Sequence, residues 1–260
     1  MFEARALSDR VDAVREARTP DVQVLDCDRD FETLTPALAE DLGLLVDALE
    51  PATYPTAWLP DDAPTLLTRY ASSDLTIGMP GDGSVVWTRQ TDPPIVLVKP
   101  RVEGSPESFV DFLIAEALVQ VDLEVPEHFI GFFEGAYPDL DAAVALDPNG
   151  TYQVAAALYD GWVGLQTREV FADWHDEHPE LADAWQDAGT RLEDRVSELP
   201  RAVARGDTEF ADATELACAA IKHAIELPAP FAALDTDAYL DHGPAYAIQW
   251  AEKTFDSLED

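Results

Sequence analysis

Val110, Leu113, Ile114, Ala117, Leu118 and Val121 recur at steps of three and four, which makes one broad apolar helix face. Phe109 and Phe112 widen that face, and only Asp111, Glu116 and Gln120 interrupt the run. Ser105 suits an N-cap, Pro106 the first helical position, and Glu107 the positive end of the helix dipole. A helix this apolar over residues 106–121 needs cover on most sides. The pattern therefore predicts a central buried helix with the rest of the chain wrapped around it.

Upstream, Leu7, Val11 and Val14 mark a first helix, with Ser8 and Asp9 available to cap it. Val22 to Leu25 reads as a short extended piece. Thr35-Pro36 opens a second helix running through Leu42 to Leu49, and Pro51, Pro55 and Pro60 make a stiff connector anchored by Tyr54 and Trp58. Pro64 starts a short helix to Tyr70. The texture then changes. Leu75 to Met79, Val85 to Gln90 and Ile95 to Lys99 are short and rich in β-branched residues. Pro80-Gly81-Asp82-Gly83 and Thr91-Asp92-Pro93-Pro94 separate them, which predicts an antiparallel three-stranded meander over residues 75–99.

Downstream the pattern is helical. Pro126 opens a helix through Phe133, and Asp147-Pro148-Asn149-Gly150 is a strong turn signal. Val154, Leu158, Trp162 and Leu165 line a long helix reaching towards Trp174. Gly161 and Gly164 on it cost helix propensity, which points to a close helix contact there. A further helix ends at Leu199-Pro200, another spans Thr208 to Leu227, and Ala245 to Leu258 closes the chain. The expected class is α+β, mainly α: a helical bundle around the central helix with a small β-meander. We expect a single domain over 1–260, with 1–104 as a mixed part and 105–260 as a helical part.

Composition changes one thing. The chain carries 52 acidic and 16 basic residues, a net charge of −36, on a normal apolar fraction of 47%. Lys99, Lys222 and Lys253 are its only lysines. The acids are spread along the whole chain rather than gathered in a tail. Such a chain repels itself at low salt, whereas molar salt shortens the Debye length to roughly 3 Å. Dispersed acid with little lysine fits the cytoplasm of a salt-accumulating archaeon. It argues against nucleic acid as a partner, which needs a basic footprint. Cys27 and Cys218 lack a C-x-x-C spacing, as expected of a reduced compartment and no zinc knuckle. Charges throughout residues 1–18 leave no signal-peptide core, and no apolar run suits a membrane span.

Candidate chemistry is sparse. His175 and His178 stand three apart among acids, a spacing that could hold a divalent metal on one helix face. Pro179 ends the helix there, however, so a solvated helix end is expected, with no metal and no cofactor. His128, His223 and His242 are scattered singly, and His223 reads as a core histidine. G-x-S-x-G, G-x-G-x-x-G and the Walker loop are absent. The rare basic residues carry more information. Arg89, Lys99 and Arg101 fall close together on strands expected to pair, near Arg69, Trp58, Tyr70 and Trp87. They are the candidate contacts for a small anionic ligand or a protein partner, provided that their heads converge. Otherwise they neutralise nearby carboxylates such as Asp92 and Glu103.

Asp28-Arg29-Asp30-Phe31-Glu32-Thr33-Leu34, Tyr70-Ala71-Ser72-Ser73-Asp74-Leu75-Thr76 and Lys99-Pro100-Arg101-Val102-Glu103-Gly104-Ser105 together resemble a haloarchaeal protein family of unknown function. That resemblance covers most of the chain and implies no activity, cofactor or site residue. The expected function is a non-catalytic binding or protein-interaction role. The alternative is a hydrolase or transferase whose anionic substrate is held by Arg89, Lys99 and Arg101.

Overall fold

A computed structural model describes residues 1–72, 74–78 and 83–259. In order, the elements are β1 (Phe2–Ala4), α1 (Asp9–Arg18), β2 (Gln23–Cys27), α2 (Pro36–Gly43), β3 (Ala48–Leu49), α3 (Thr65–Tyr70), β4 (Val85–Thr88), β5 (Thr91–Asp92), β6 (Ile95–Val98), α4 (Glu107–Asp122), α5 (Phe129–Phe133), α6 (Tyr137–Ala143), α7 (Pro148–Glu177), α8 (Pro179–Arg205), α9 (Phe210–Ile221) and α10 (Asp237–Glu259). The protein is mainly helical with a small mixed sheet.

The chain forms two compact units. The first comprises residues 1–54, 68–128 and 174–184, and the second residues 55–67, 129–173 and 185–260. The main division thus falls after His128 rather than near Gly104, because α4 packs on the strands that precede it.

In the first unit the sheet order is β1-β2-β6-β4. The expected antiparallel three-stranded meander is corrected to this four-stranded mixed sheet. Of the three expected strands, β4 and β6 form and pair antiparallel, Val85 opposite Val98 and Thr88 opposite Ile95. The expected first strand is reduced to one bridge, Thr33 with Thr76, and Met79 to Asp82 lie outside the described residues. The reason lies in β6 itself. Ile95, Val96, Leu97 and Val98 are all buried, so both faces and both edges of this strand need partners. β2 supplies the second edge in parallel register, Val24 opposite Val96 and Leu25 opposite Leu97, and β1 then adds antiparallel to β2.

Strand parity sorts the two faces. Leu25, Val86, Ile95 and Leu97 join Phe2, Leu34, Leu42 and Ile77 in one apolar cluster. Trp87 lies on the opposite face, and its indole N–H donates to Gln120 of α4 at 2.6 Å. The helix α4 is buried nearly all round, as its composition requires: Val110, Phe112, Ile114, Leu118 and Val119 are all under cover. Two of its polar interruptions, Asp111 and Glu116, are buried too. Asp111 accepts from Arg10 Nε at 2.7 Å and from Ser8 Oγ at 2.8 Å, which ties α1 to α4. Ser8 does stand at the α1 N-cap position, but its hydroxyl is engaged by Asp111 instead of the helix end. Pro106, rather than Ser105, occupies the cap position of α4.

The second unit is helical. Gly161 and Gly164 of α7 lie against α9: a Cβ on Gly161 would meet Cys218 Cβ at 3.2 Å, and one on Gly164 would meet Lys222 N at 3.0 Å. The close contact expected from these glycines is present. The signal at Asp147 to Gly150 is a helix start: Asp147 Oδ1 accepts from the Gly150 N–H at 2.8 Å, with Pro148 in the first turn. Pro200 does not end its helix, and α8 continues to Arg205. A proline removes one backbone hydrogen bond, and the helix-favouring Arg201 to Arg205 stretch carries on beyond it. α10 breaks at Gly243, where φ is 45°, and its last segment runs from Pro244.

Candidate functional site

The three cations singled out by sequence do not meet. Arg89 follows β4 and Lys99 follows β6, so the antiparallel pairing places Lys99 beside Ser84 and separates it from Arg89 by the length of the hairpin, roughly 17 Å. They also project to opposite faces. Arg89 sits over the Trp87 ring at 5.1 Å and donates to the backbone oxygens of Val125 at 2.9 Å and Val121 at 2.5 Å. It therefore caps the C-terminal end of α4, where the carbonyls carry partial negative charge. Lys99 is fully buried, with Nζ 3.7 Å from Asp30 Oδ1 and 5.5 Å from the Phe31 ring centre. Arg101 also pairs with Asp30. Lys99 and Arg101 thus share one carboxylate from the chain itself, and Arg89 stands apart from both.

A polar centre forms instead around Glu127, in the segment that links α4 to α5. Glu127 Oε1 accepts from Thr88 Oγ1 at 2.7 Å and Gln90 Nε2 at 2.6 Å, and Oε2 accepts from the Arg89 backbone N–H at 3.0 Å. Gln90 extends the network, donating to Thr76 O at 2.8 Å and accepting from the Ala52 N–H at 2.9 Å. Burial pushes the Glu127 carboxyl above its ordinary range, against the pull of the three hydrogen bonds and the Arg89 charge. His128 is fully enclosed with its ring 4.4 Å from that of Tyr70, and burial lowers its imidazole to about 3. Burial, then the Glu127 charge, raises the Tyr54 phenol to about 12.

A carboxyl, an imidazole and a phenol with displaced pKa values are the ingredients of acid–base chemistry. The space between them decides the matter. The cavity they line with Thr76 and Gly78 has a volume of about 10 Å³, room for about one water. The centre is built to bind the β4–β5 turn to the end of α4, and no substrate-sized molecule fits it as it stands.

The second unit carries an open groove of about 510 Å³ between the residue 229–233 segment and the last part of α10. Its walls include Pro230, Tyr246, Trp250 and Leu258, with Gln249 and Lys253 at the rim. Tyr246 Oη donates to Ala233 O at 2.9 Å and Trp250 Nε1 donates to Pro230 O at 3.0 Å. Both aromatic polar atoms are therefore engaged by backbone, and the groove presents mainly ring faces and aliphatic carbon, with Gln249, Lys253, Thr254 and Ser257 as its other polar side chains.

A family of unknown function, DUF7089, matches residues 1–258. The chain belongs to the DUF7089 family. No curated protein and no solved structure matches it.

Two of the remaining histidines of this DUF7089 protein pack against tryptophans, while His175 and His242 are exposed. His178 lies between α7 and α8 with its ring edge-on to Trp174 at 6.2 Å. His223 stacks on Trp185 at 5.9 Å, and burial, then the Lys222 charge, lowers it to about 4. Among the described residues, no three His, Cys, Asp or Glu side chains gather as a metal cage, and no helix is long and apolar enough to cross a membrane. Sequence reasoning missed both the polar centre and the groove. Glu127 was invisible because acids occur everywhere in this chain. The groove had a weak signal, a rare lysine three residues after a tryptophan on the closing helix.

Proposed function

We propose that this DUF7089 protein is a non-catalytic binding protein of the cytoplasm of a salt-accumulating haloarchaeon, and that its binding site is the groove between Pro230 and Leu258. The observation that carries this reading is the contrast between the two sites. The titratable centre at Glu127 encloses room for about one water, whereas the groove is open, apolar and of small-molecule size. Dispersed acidity and three lysines support the saline cytoplasm. The alternative, an enzyme gripping an anion with Arg89, Lys99 and Arg101, would need their heads to share one place. Arg89 at the end of α4 and the other two on Asp30 lend it no support.

The test is native mass spectrometry of protein purified from its host in molar potassium chloride. A retained small molecule is expected on the wild-type chain and is lost on Ala233→Phe, which fills the groove wall. Bare wild-type protein, or the same adduct on both chains, would remove the groove reading.

A further inference from the structure

We infer that the groove takes an amphiphilic anion, an apolar body ending in a single carboxylate, with the head met by Lys253. This rests on the groove being the binding site, and it adds the chemistry of the ligand. Ten residues line the groove and none of them is acidic, in a chain where 52 of 260 residues are. The single charge among those ten is Lys253, one of three lysines. Its ammonium donates to Gln249 Oε1 at 3.3 Å, one turn back along α10. Other cations of the chain are engaged differently: Arg10, Arg18 and Arg168 pair with Asp111, Asp122 and Asp235. Among the described residues, no carboxylate stands within ion-pair distance of Lys253 Nζ.

The floor selects the body of the ligand. With Tyr246 Oη and Trp250 Nε1 bound to backbone, it offers no free ring donor along its length. The other polar side chains in the lining are confined to Gln249, Lys253, Thr254 and Ser257, so a sugar or nucleotide would leave the hydroxyls over the ring faces unmatched, at a cost for each polar group desolvated without a partner. An acyl chain has nothing to leave unmatched. Size argues against a macromolecular occupant: at about 510 Å³ the groove is in the range of small-molecule pockets, whereas a stable protein interface covers about 800 Å² on each side. The solvent argues for direct contact. At molar salt the Debye length is roughly 3 Å, so the lysine contributes only if it touches the head group.

The test is isothermal titration calorimetry in molar potassium chloride, each ligand kept below its micelle-forming concentration. The probes are decanoate, decanol and decyltrimethylammonium. Decanoate is expected to bind about fivefold more tightly than decanol, the upper range for an exposed ion pair, with decyltrimethylammonium weakest. Lys253→Gln should weaken decanoate about fivefold and leave decanol unchanged. Ala233→Phe should abolish binding of both. Equal affinities for decanoate and decanol, with Lys253→Gln without effect, would overturn the head-group assignment and leave the groove reading standing. No binding by any of the three would overturn the inference, and the adduct on host-purified protein then judges the groove reading separately.

Discussion

The Arg89 guanidinium donates to the Val121 carbonyl at 2.5 Å and so closes the C-terminal end of the central helix. This contact turns a candidate ligand residue into part of the scaffold. Arg89→Ala leaves the Val121 carbonyl of the last turn and the Val125 carbonyl just beyond the helix without their cationic donor, and charge-assisted bonds of this kind are worth about 1.5–3 kcal/mol. We expect the melting temperature to fall by several degrees and Arg89→Lys to recover part of the loss. An unchanged melting curve for Arg89→Ala would show that the cap carries no weight.

His128 sets a pH dependence. Its folded-state value is lowered to about 3, against an ordinary value near 6.5. The unfolded chain therefore takes up a proton that the folded chain refuses. Stability from this group is fully present above pH ~6.5 and is lost as pH falls towards ~3. At about 1.4 kcal/mol for each pH unit, the loss is on the order of several kcal/mol. His128→Phe keeps a ring against Tyr70 and cannot titrate. Urea denaturation at a series of pH values should show a shallower decline for the variant between those limits, and parallel profiles would refute the assignment.

Gly164→Ala sets two effects against each other. Alanine is favoured over glycine in a helix by about 1 kcal/mol. The new Cβ, however, would stand 3.0 Å from the backbone nitrogen of Lys222, which cannot swing aside as a side chain can. Overpacking of this kind costs about 1–3 kcal/mol, so the variant should be less stable than the parent. Gly161→Ala meets side-chain atoms of Ile221 and Cys218 and should lose less. Thermal melts of the two variants side by side give the order, and a more stable Gly164→Ala would show that the contact yields.

The net charge of −36 makes folding depend on salt. Circular dichroism should show cooperative melting in molar potassium chloride and loss of helix as salt is withdrawn, because screening relieves the repulsion among dispersed carboxylates. An unchanged melting temperature from low to high salt would contradict this.

Local pattern alone determined much of the scaffold. The apolar run from Val110 to Val121, interrupted only by Asp111, Glu116 and Gln120, demanded a helix covered on most sides, and α4 is one. Gly161 and Gly164 marked a close helix approach because a glycine inside a helix is costly without a packing reason. The pairing of β4 with β6 followed from two β-branched runs around a turn. These features are legible because periodicity and turn chemistry act over a few residues. Tertiary structure decided the rest, through contacts distant in sequence. The parallel pairing of β2 with β6 joins strands some seventy residues apart, and no local signal announces it. The same sheet sends Arg89 and Lys99 to opposite ends and faces, since pairing register is set by the whole core rather than by the turn. Glu127 differs from the other acids only by the donors that Thr88, Arg89 and Gln90 bring to it. The groove exists because the 229–233 segment folds back on Tyr246 and Trp250, which turns aromatic side chains of a closing helix into the wall of a site.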